Sequence, residues 1–213
     1  RHSRALTQLL RHGLPTSGIE MHPGGWADVD QIKSLPAFAS WLTDEELAEI
    51  VREDEKGRFE LIGGRVRALQ GHSFAVPDAE RLLLTPIERP EDAPVAVHGT
   101  TAEAWKMIAC GGLSKMARTH VHMAAGLLGQ DGVRSGMRKS CDVAVYVDVR
   151  KAMDAGLKFF RSGNGVILCA GDEAGIIAPH LFAKVVDLRT GAVILGGEED
   201  ASAASSASAM ASV

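Results

Sequence analysis

Apolar positions along this chain change period several times, and each change predicts an element. In His2 to Gly13, Leu6, Leu9 and Leu10 form a stripe at helical spacing, and Gly13 predicts its end. "PGGWADVDQIKSLP" reads as a turn and then a short helix stopped before Pro36. "TDEELAEIVRED" predicts a firmer helix. Thr43 and Glu46 have capping-box spacing, and Leu47, Ile50 and Val51 supply its buried face. In "GRFELIGGRVRALQG" the period drops to two, with Phe59 and Leu61 before a Gly-Gly turn and Val66 and Ala68 after it. That pattern is a hairpin. Helices followed by a two-stranded wing suggest a winged-helix-like lobe.

Pro86 to Pro94 is rich in proline and charge and predicts a boundary. Beyond it strands dominate. "VAVHGT", "HVHMA", "CDVAVYVDV", "NGVILCAG" and "AKVVDLRTGAVIL" all read as strands, and Val143, Val145 and Val147 share one face. "TAEAWKMIACGGL" is the helix among them. The expectation is an α+β protein with a winged-helix-like lobe at 1–86, a linker at 87–94, a β-rich lobe at 95–197 and a disordered tail at 198–213.

Charge narrows the options. The 213 residues carry a formal net charge of -4. Residues 1–92 hold 11 Lys and Arg against 16 Asp and Glu, and the remainder holds 12 against 11. No bulk positive field draws in nucleic acid, so any RNA contact must come from a few placed arginines. The three cysteines, Cys110, Cys141 and Cys169, form no CxxC pair. Neither a zinc ribbon nor a disulfide framework is expected, and a reducing intracellular setting, cytoplasmic or nuclear, fits best. No apolar run is long enough to span a membrane, and the opening residues show no signal-peptide pattern.

The candidate chemistry lies in arginines and histidines. Arg11 and His12 end the first helical stretch, Arg58 opens the hairpin, and Arg118 precedes His120 and His122. Arginine suits planar, bidentate phosphate recognition. A His-x-His pair on a strand can hold zinc, but the further candidates His72, His98 and His180 are scattered, so no metal is expected. "HGT" at His98–Thr100 and "QGHS" at Gln70–Ser73 are turn-like on their own. No GxGxxG, Walker or GxSxG motif is present.

Seven motifs together are far more specific than any one. "LLRHG", "KGRF", "QGHS", "VHGT", "MARTHVHMA", "SGMR" and "FFRSGNGVIL" occur in the order seen in the RNA 2′-phosphotransferases. The chain resembles that family, and its eukaryotic branch most, across about residues 3 to 190. The resemblance implies a winged-helix-like RNA lobe and an ADP-ribosyltransferase-like lobe. It also implies an NAD-dependent enzyme that removes the 2′-phosphate left at a tRNA splice junction. NAD would be consumed, through an ADP-ribosylated RNA phosphate, to nicotinamide and ADP-ribose 1″,2″-cyclic phosphate. Arg11, His12, Arg58 and Arg118 would be catalytic. His98, Gly99, Thr100, His120, His122, Ser135, Gly136, Arg138, Asn164 and Val166 would face NAD. Arg11, His12, Arg58 and Arg67 would meet RNA phosphates. Partners would be tRNA or another RNA carrying a 2′-phosphate, with no membrane, and a monomer is the default. Two rivals remain open: ADP-ribosylation of terminal RNA or DNA phosphates, and a winged-helix binder without catalysis.

Overall fold

The computed structural model describes residues 2–127, 129, 133, 135–137 and 140–196. Arg138 and the tail from 197 lie outside the described residues. The chain opens with α1 (His2–Gln8), a π-helical turn (Leu9–Gly13) and α2 (Leu14–Ser17). Gly13 therefore does not end the helix; Gly18, in the left-handed region, does. In the π turn the Leu14 amide donates to the Leu9 carbonyl, five residues back. Leu6, Leu10 and Leu14 are each within 1% of full burial, so the stripe is held in the core through the change of pitch.

The presumed turn before the next helix is itself a short ribbon, β1 (Met21–His22) and β2 (Trp26–Asp28), followed by α3 (Val29–Ser34). Then comes α4 (Asp44–Arg52), capped by Thr43 Oγ1, which accepts from the Glu46 amide (3.2 Å). The Glu46 carboxylate does not return to the cap; it meets His2 instead (2.7 Å). The hairpin forms as expected from β3 (Phe59–Ile62) and β4 (Arg65–Ala68), with both turn glycines at positive φ. The first sheet has the order β1-β2-β4-β3 and is antiparallel throughout. Leu6, Leu10, Ile32, Leu47 and Val66 fill the core between this sheet and its helices.

After α5 (Ala79–Leu82), β5 (Leu84–Ile87) pairs with a strand of the second half of the chain. The chain thus enters the second sheet system at Leu84, ahead of the expected linker. A 3₁₀ turn (Pro90–Asp92) follows, then β6 (Val97–Thr100), α6 (Ala102–Gly111), β7 (Leu113–Ser114), β8 (Val121–Met123) and β9 (Val143–Val147). The remaining elements are α7 (Val149–Asp154), β10 (Phe159–Ser162), β11 (Ile167–Cys169), β12 (Ile176–Ile177), β13 (Phe182–Asp187) and β14 (Val193–Leu195). Two antiparallel sheets, β5-β10-β11-β8 and β14-β13-β9-β6, share one core. Val143, Val145 and Val147 meet Val121, Met123, Phe159 and Ile167 there. A single bridge, Val97 to Ala124, ties β6 to the end of β8. The outcome is a mixed α+β architecture. Among the described residues no helix is long and apolar enough to cross a membrane.

Leu10 is completely buried one residue before Arg11. Leu10→Ala is expected to cost about 2–5 kcal/mol of stability, read as a lowered urea midpoint followed by tryptophan fluorescence.

Candidate functional site

The site starts with the π turn. Widening the helix by one residue lets Leu9, Leu10 and Leu14 stay in the core while Arg11 is drawn in with them. Arg11 is 8% exposed, and its Nε and Nη2 meet no hydrogen-bond partner among the described residues. Such donors carry a large desolvation cost unless an acceptor reaches them. Burial, then Arg118 and Arg58, push the Arg11 guanidinium down to about 10, and Asp54 opposes them. It remains a cation at neutral pH.

The "QGHS" loop staples this turn to the second half. The Ser73 amide donates to the Arg11 carbonyl (3.0 Å), and the His72 carbonyl accepts from the Thr119 amide (3.0 Å). Gly71, at φ +91°, lies over the guanidinium; a Cβ there would stand 3.1 Å from Arg11 Cζ. Ser73 Oγ faces the Arg11 carbonyl (3.4 Å) and His12 Nδ1 (3.0 Å). With the hydroxyl donating to the carbonyl, His12 donates from Nδ1 and keeps the lone pair on Nε2. His12 is exposed, and partial burial with Arg118 and Arg11 holds its pKa below the ordinary value.

Arg58 is fixed by Asp54, whose carboxylate accepts from Nε (2.8 Å), Nη2 (2.6 Å) and the Arg58 amide, while Ser3 Oγ takes a further bond (3.1 Å). Asn164 holds the same loop from the β10–β11 turn, donating to the Lys56 carbonyl (2.8 Å) and accepting from Ser162. Arg118 lies in the exposed turn before β8. His122 is buried on β8, and its carbonyl accepts from His98 Nδ1 (2.8 Å). His120 sits just before the strand rather than on it, bonded to Thr119 Oγ1 (2.9 Å).

The field of the arginines reaches the rings around them. His122 is pushed down to about 3 by burial, then Arg118, Arg11 and His120. His72 is pushed down to about 4 by burial, then Arg11, His12 and His120. Both Nε2 atoms are buried without a partner among the described residues. Arg11, His12, Arg58, Arg118, His120 and His122 are thus one coupled group.

The other expected positions are paired or closely packed within the protein. Arg67 is occupied: it pairs with Glu60 (2.6 Å), donates to the Gly24 and Leu82 carbonyls and lies 4.3 Å over the Trp26 ring. Val166 is fully buried among Leu83, Leu84, Phe160 and Leu168, so its side chain presents no surface to a ligand. Thr100 and Ser135 are buried. Gly99 and Gly136 sit where a Cβ would strike Met137 and the Ala124 backbone, respectively. Asp54 and His72 are the residues that sequence reasoning left without a role. No local signal marks Asp54; His72 lies within a motif but gains its place through burial. Among the described residues no three His, Cys, Asp or Glu side chains are grouped to hold a metal ion.

A buried guanidinium with donors open among the described residues, flanked by two further arginines and neutral imidazoles, has the chemistry that phosphate groups require. The chain belongs to the RNA 2′-phosphotransferase, Tpt1 / KptA family, whose model matches residues 1–171. It is 42% identical over 196 residues to tRNA 2′-phosphotransferase 1 of Danio rerio, covering 89% of this chain and 86% of that one. The protein of the same name in Homo sapiens is 40% identical over 194 residues, covering 88% and 75%. A Rhizobium leguminosarum protein described as a probable RNA 2′-phosphotransferase is 32% identical over 177 residues, covering 83% and 92%. Membership of the family, on its eukaryotic side, is as the motifs implied.

The two buried imidazoles set an acid limit. Unfolded, each binds a proton below about 6.5; folded, His72 waits until about 4 and His122 until about 3. Stability present above pH 6.5 is therefore lost as pH falls toward 4, by up to about 1.4 kcal/mol per unit for each ring. Urea unfolding at pH 7 and pH 5 checks this, and His122→Gln should flatten the difference.

Proposed function

We propose that this protein transfers the 2′-phosphate of spliced tRNA to NAD, leaving 2′-OH RNA, nicotinamide and ADP-ribose 1″,2″-cyclic phosphate. The observation that carries the reading is Arg11: a buried cation with two donors unmatched among the described residues, acting together with Arg58, Arg118 and His12. Two anions must meet in this reaction, an RNA phosphate and the diphosphate of NAD, and their repulsion requires clustered cations. NAD is the second substrate here. In the first step a 2′-phosphate oxygen bonds to the anomeric carbon of the nicotinamide riboside, and nicotinamide leaves with the electrons of the broken bond. In the second step the adjacent ribose hydroxyl bonds to phosphorus, and the RNA 2′-oxygen departs and takes up a proton.

The chain's own residues divide that work. Arg11 and Arg58 hold the RNA phosphate, with Arg58 aimed in advance by Asp54. Arg118 neutralises charge in both steps. His12 is neutral at pH 7 on its lowered pKa. Its Nε2 takes the proton of the attacking hydroxyl and returns it to the departing oxygen, so it serves as base and then acid. His98, Thr100, His120 and His122 form the dinucleotide side, with Gly99 and Gly136 allowing close packing there. Arg67, held by Glu60, supports the fold instead of the RNA.

Incubation with NAD and an RNA carrying one internal 2′-phosphate tests the reading. Release of 2′-OH RNA and cyclic phosphate is expected, and an end product stalled as ADP-ribosyl RNA would instead mark a phosphate ADP-ribosyltransferase. Arg118→Ala is expected to abolish turnover, by about a thousandfold or more, with an unchanged unfolding midpoint; near wild-type activity would reject the site. Chelation by EDTA is expected to leave the rate unchanged.

A further inference from the structure

The turn between β10 and β11 reaches across to the loop that carries Arg58. It is well braced. The Ser162 amide donates to the Val166 carbonyl and the Gly165 amide to the Ser162 carbonyl (2.9 Å each), and Gly165 supplies the positive φ (+81°) that the reversal needs. Ser162 is 3% exposed. Its hydroxyl accepts from the Val166 amide (3.1 Å) and donates to Asn164 Oδ1 (2.7 Å). Asn164 Nδ2 then donates to the Lys56 carbonyl (2.8 Å). A carbonyl only accepts, so this bond fixes which end of the amide is nitrogen, and the Ser162 hydroxyl holds the other end.

This turn meets Arg58 on both flanks. Lys56 stands two residues before it. Gly57, between them at φ +53°, comes so near that a Cβ there would lie 3.5 Å from Asn164 Cβ. On the other flank the Leu69 amide donates to the Arg58 carbonyl (2.9 Å), and a Cβ at Gly163 would stand 3.3 Å from Leu69 Cδ1. One turn therefore packs against the residues before Arg58 and against the residue bonded to its carbonyl.

Asp54 and Ser3 also hold Arg58, but both lie in the first half of the chain, as Arg58 does. They aim the guanidinium within that half and leave its distance from Arg118 free. The β10–β11 turn is placed differently. β11 pairs with β8, with Leu168 opposite His122, and Arg118 lies in the turn that leads into β8. Asn164 thus ties the Arg58 loop to the sheet that carries His122. Arg58 and Arg118 both act electrostatically on Arg11, so a shift of that loop would loosen the cation cluster.

We propose that Asn164 is a positioning residue for phosphotransfer: through the Lys56 carbonyl it fixes Arg58 at the spacing from Arg118 that the RNA phosphate requires. The proposal rests on the phosphotransfer reading above. Asn164 acts through Arg58 and not by contact with NAD, the role that resemblance alone gives it.

Asn164→Ala removes both bonds, and Asn164→Asp keeps the shape but has no donor for the Lys56 carbonyl. Single-turnover rates at saturating NAD are to be measured on an RNA with one internal 2′-phosphate. Each variant is expected to slow the reaction about tenfold and to leave the KM for NAD unchanged. A raised KM for NAD with an unchanged rate would make Asn164 a dinucleotide contact and overturn the proposal. The deciding measurement is a double-mutant cycle with Arg58→Lys, which keeps the charge and loses the fork that Asp54 holds. In that background Asn164→Ala is expected to cost less than about twofold, because the group it positions is already displaced. The full loss there, or no loss in the wild-type background, rejects the positioning role. If Asn164→Ala shows no cooperative unfolding transition, Ser162→Ala decides in its place. It frees the Asn164 oxygen and is expected to show the same split between rate and KM and the same coupling to Arg58. A wild-type protein that turns over no 2′-phosphorylated RNA would reject the functional reading itself, whereas wild-type turnover with additive losses rejects only the role of Asn164.

Discussion

Burial of the Arg11 guanidinium is the constraint on which the rest of the site depends. A cation out of water is costly, and this one has neither a paired carboxylate in contact nor partners for all its donors among the described residues. The fold supplies the stability that tolerates it. Leucines on both sides of Arg11 anchor the turn, and the Gln70–Ser73 loop closes over it, with a side chain at Gly71 disfavoured by its positive φ and crowded against the guanidinium. Burial first, and then the same field, keeps the neighbouring imidazoles neutral. A charge on His122 would face Arg118 and Arg11, and one on His72 would face Arg11, so both rings act at neutral pH as dipoles and hydrogen-bonding groups.

The site also shows how two halves of a chain become one surface. The arginine set draws on the first helical stretch, the loop before β3 and the turn before β8. Three small contacts bring them into register: Ser73 to Arg11, Thr119 to His72, and Asn164 to the Lys56 carbonyl. Each involves a backbone group, which places the chain itself more firmly than contacts between long side chains.

Much of this was legible in the residues, and the failures have physical causes. The hairpin came from alternation and the Gly-Gly turn, and α4 from Thr43. The hairpin register even contained the fate of Arg67, because a turn at Gly63–Gly64 puts it directly opposite Glu60. β1 and β2 span two and three residues, too few for a period to show. β5 was hidden by Pro86, which a strand accepts at a sheet edge, where β5 lies. The motif residues Arg11, His12 and Arg118 could be named from resemblance, but burial of Arg11 and His72 is a tertiary fact. Asp54 had no mark at all: an acidic residue near a helix end reads as surface until its carboxylate is seen gripping Arg58.

The π turn from Leu9 to Gly13 makes the site sensitive to residue number. Each residue of an α-helix advances the face by about 100°, so the turn absorbs one extra position without rotating α2 against α1. Removing a single residue there lets the coil close to its ordinary pitch with α1 and α2 still aligned, so Leu6 and Leu14 keep their places in the core. What is lost is the widened turn itself, and with it the inward placement of Arg11. The extra residue serves the site and not the packing of the helices around it.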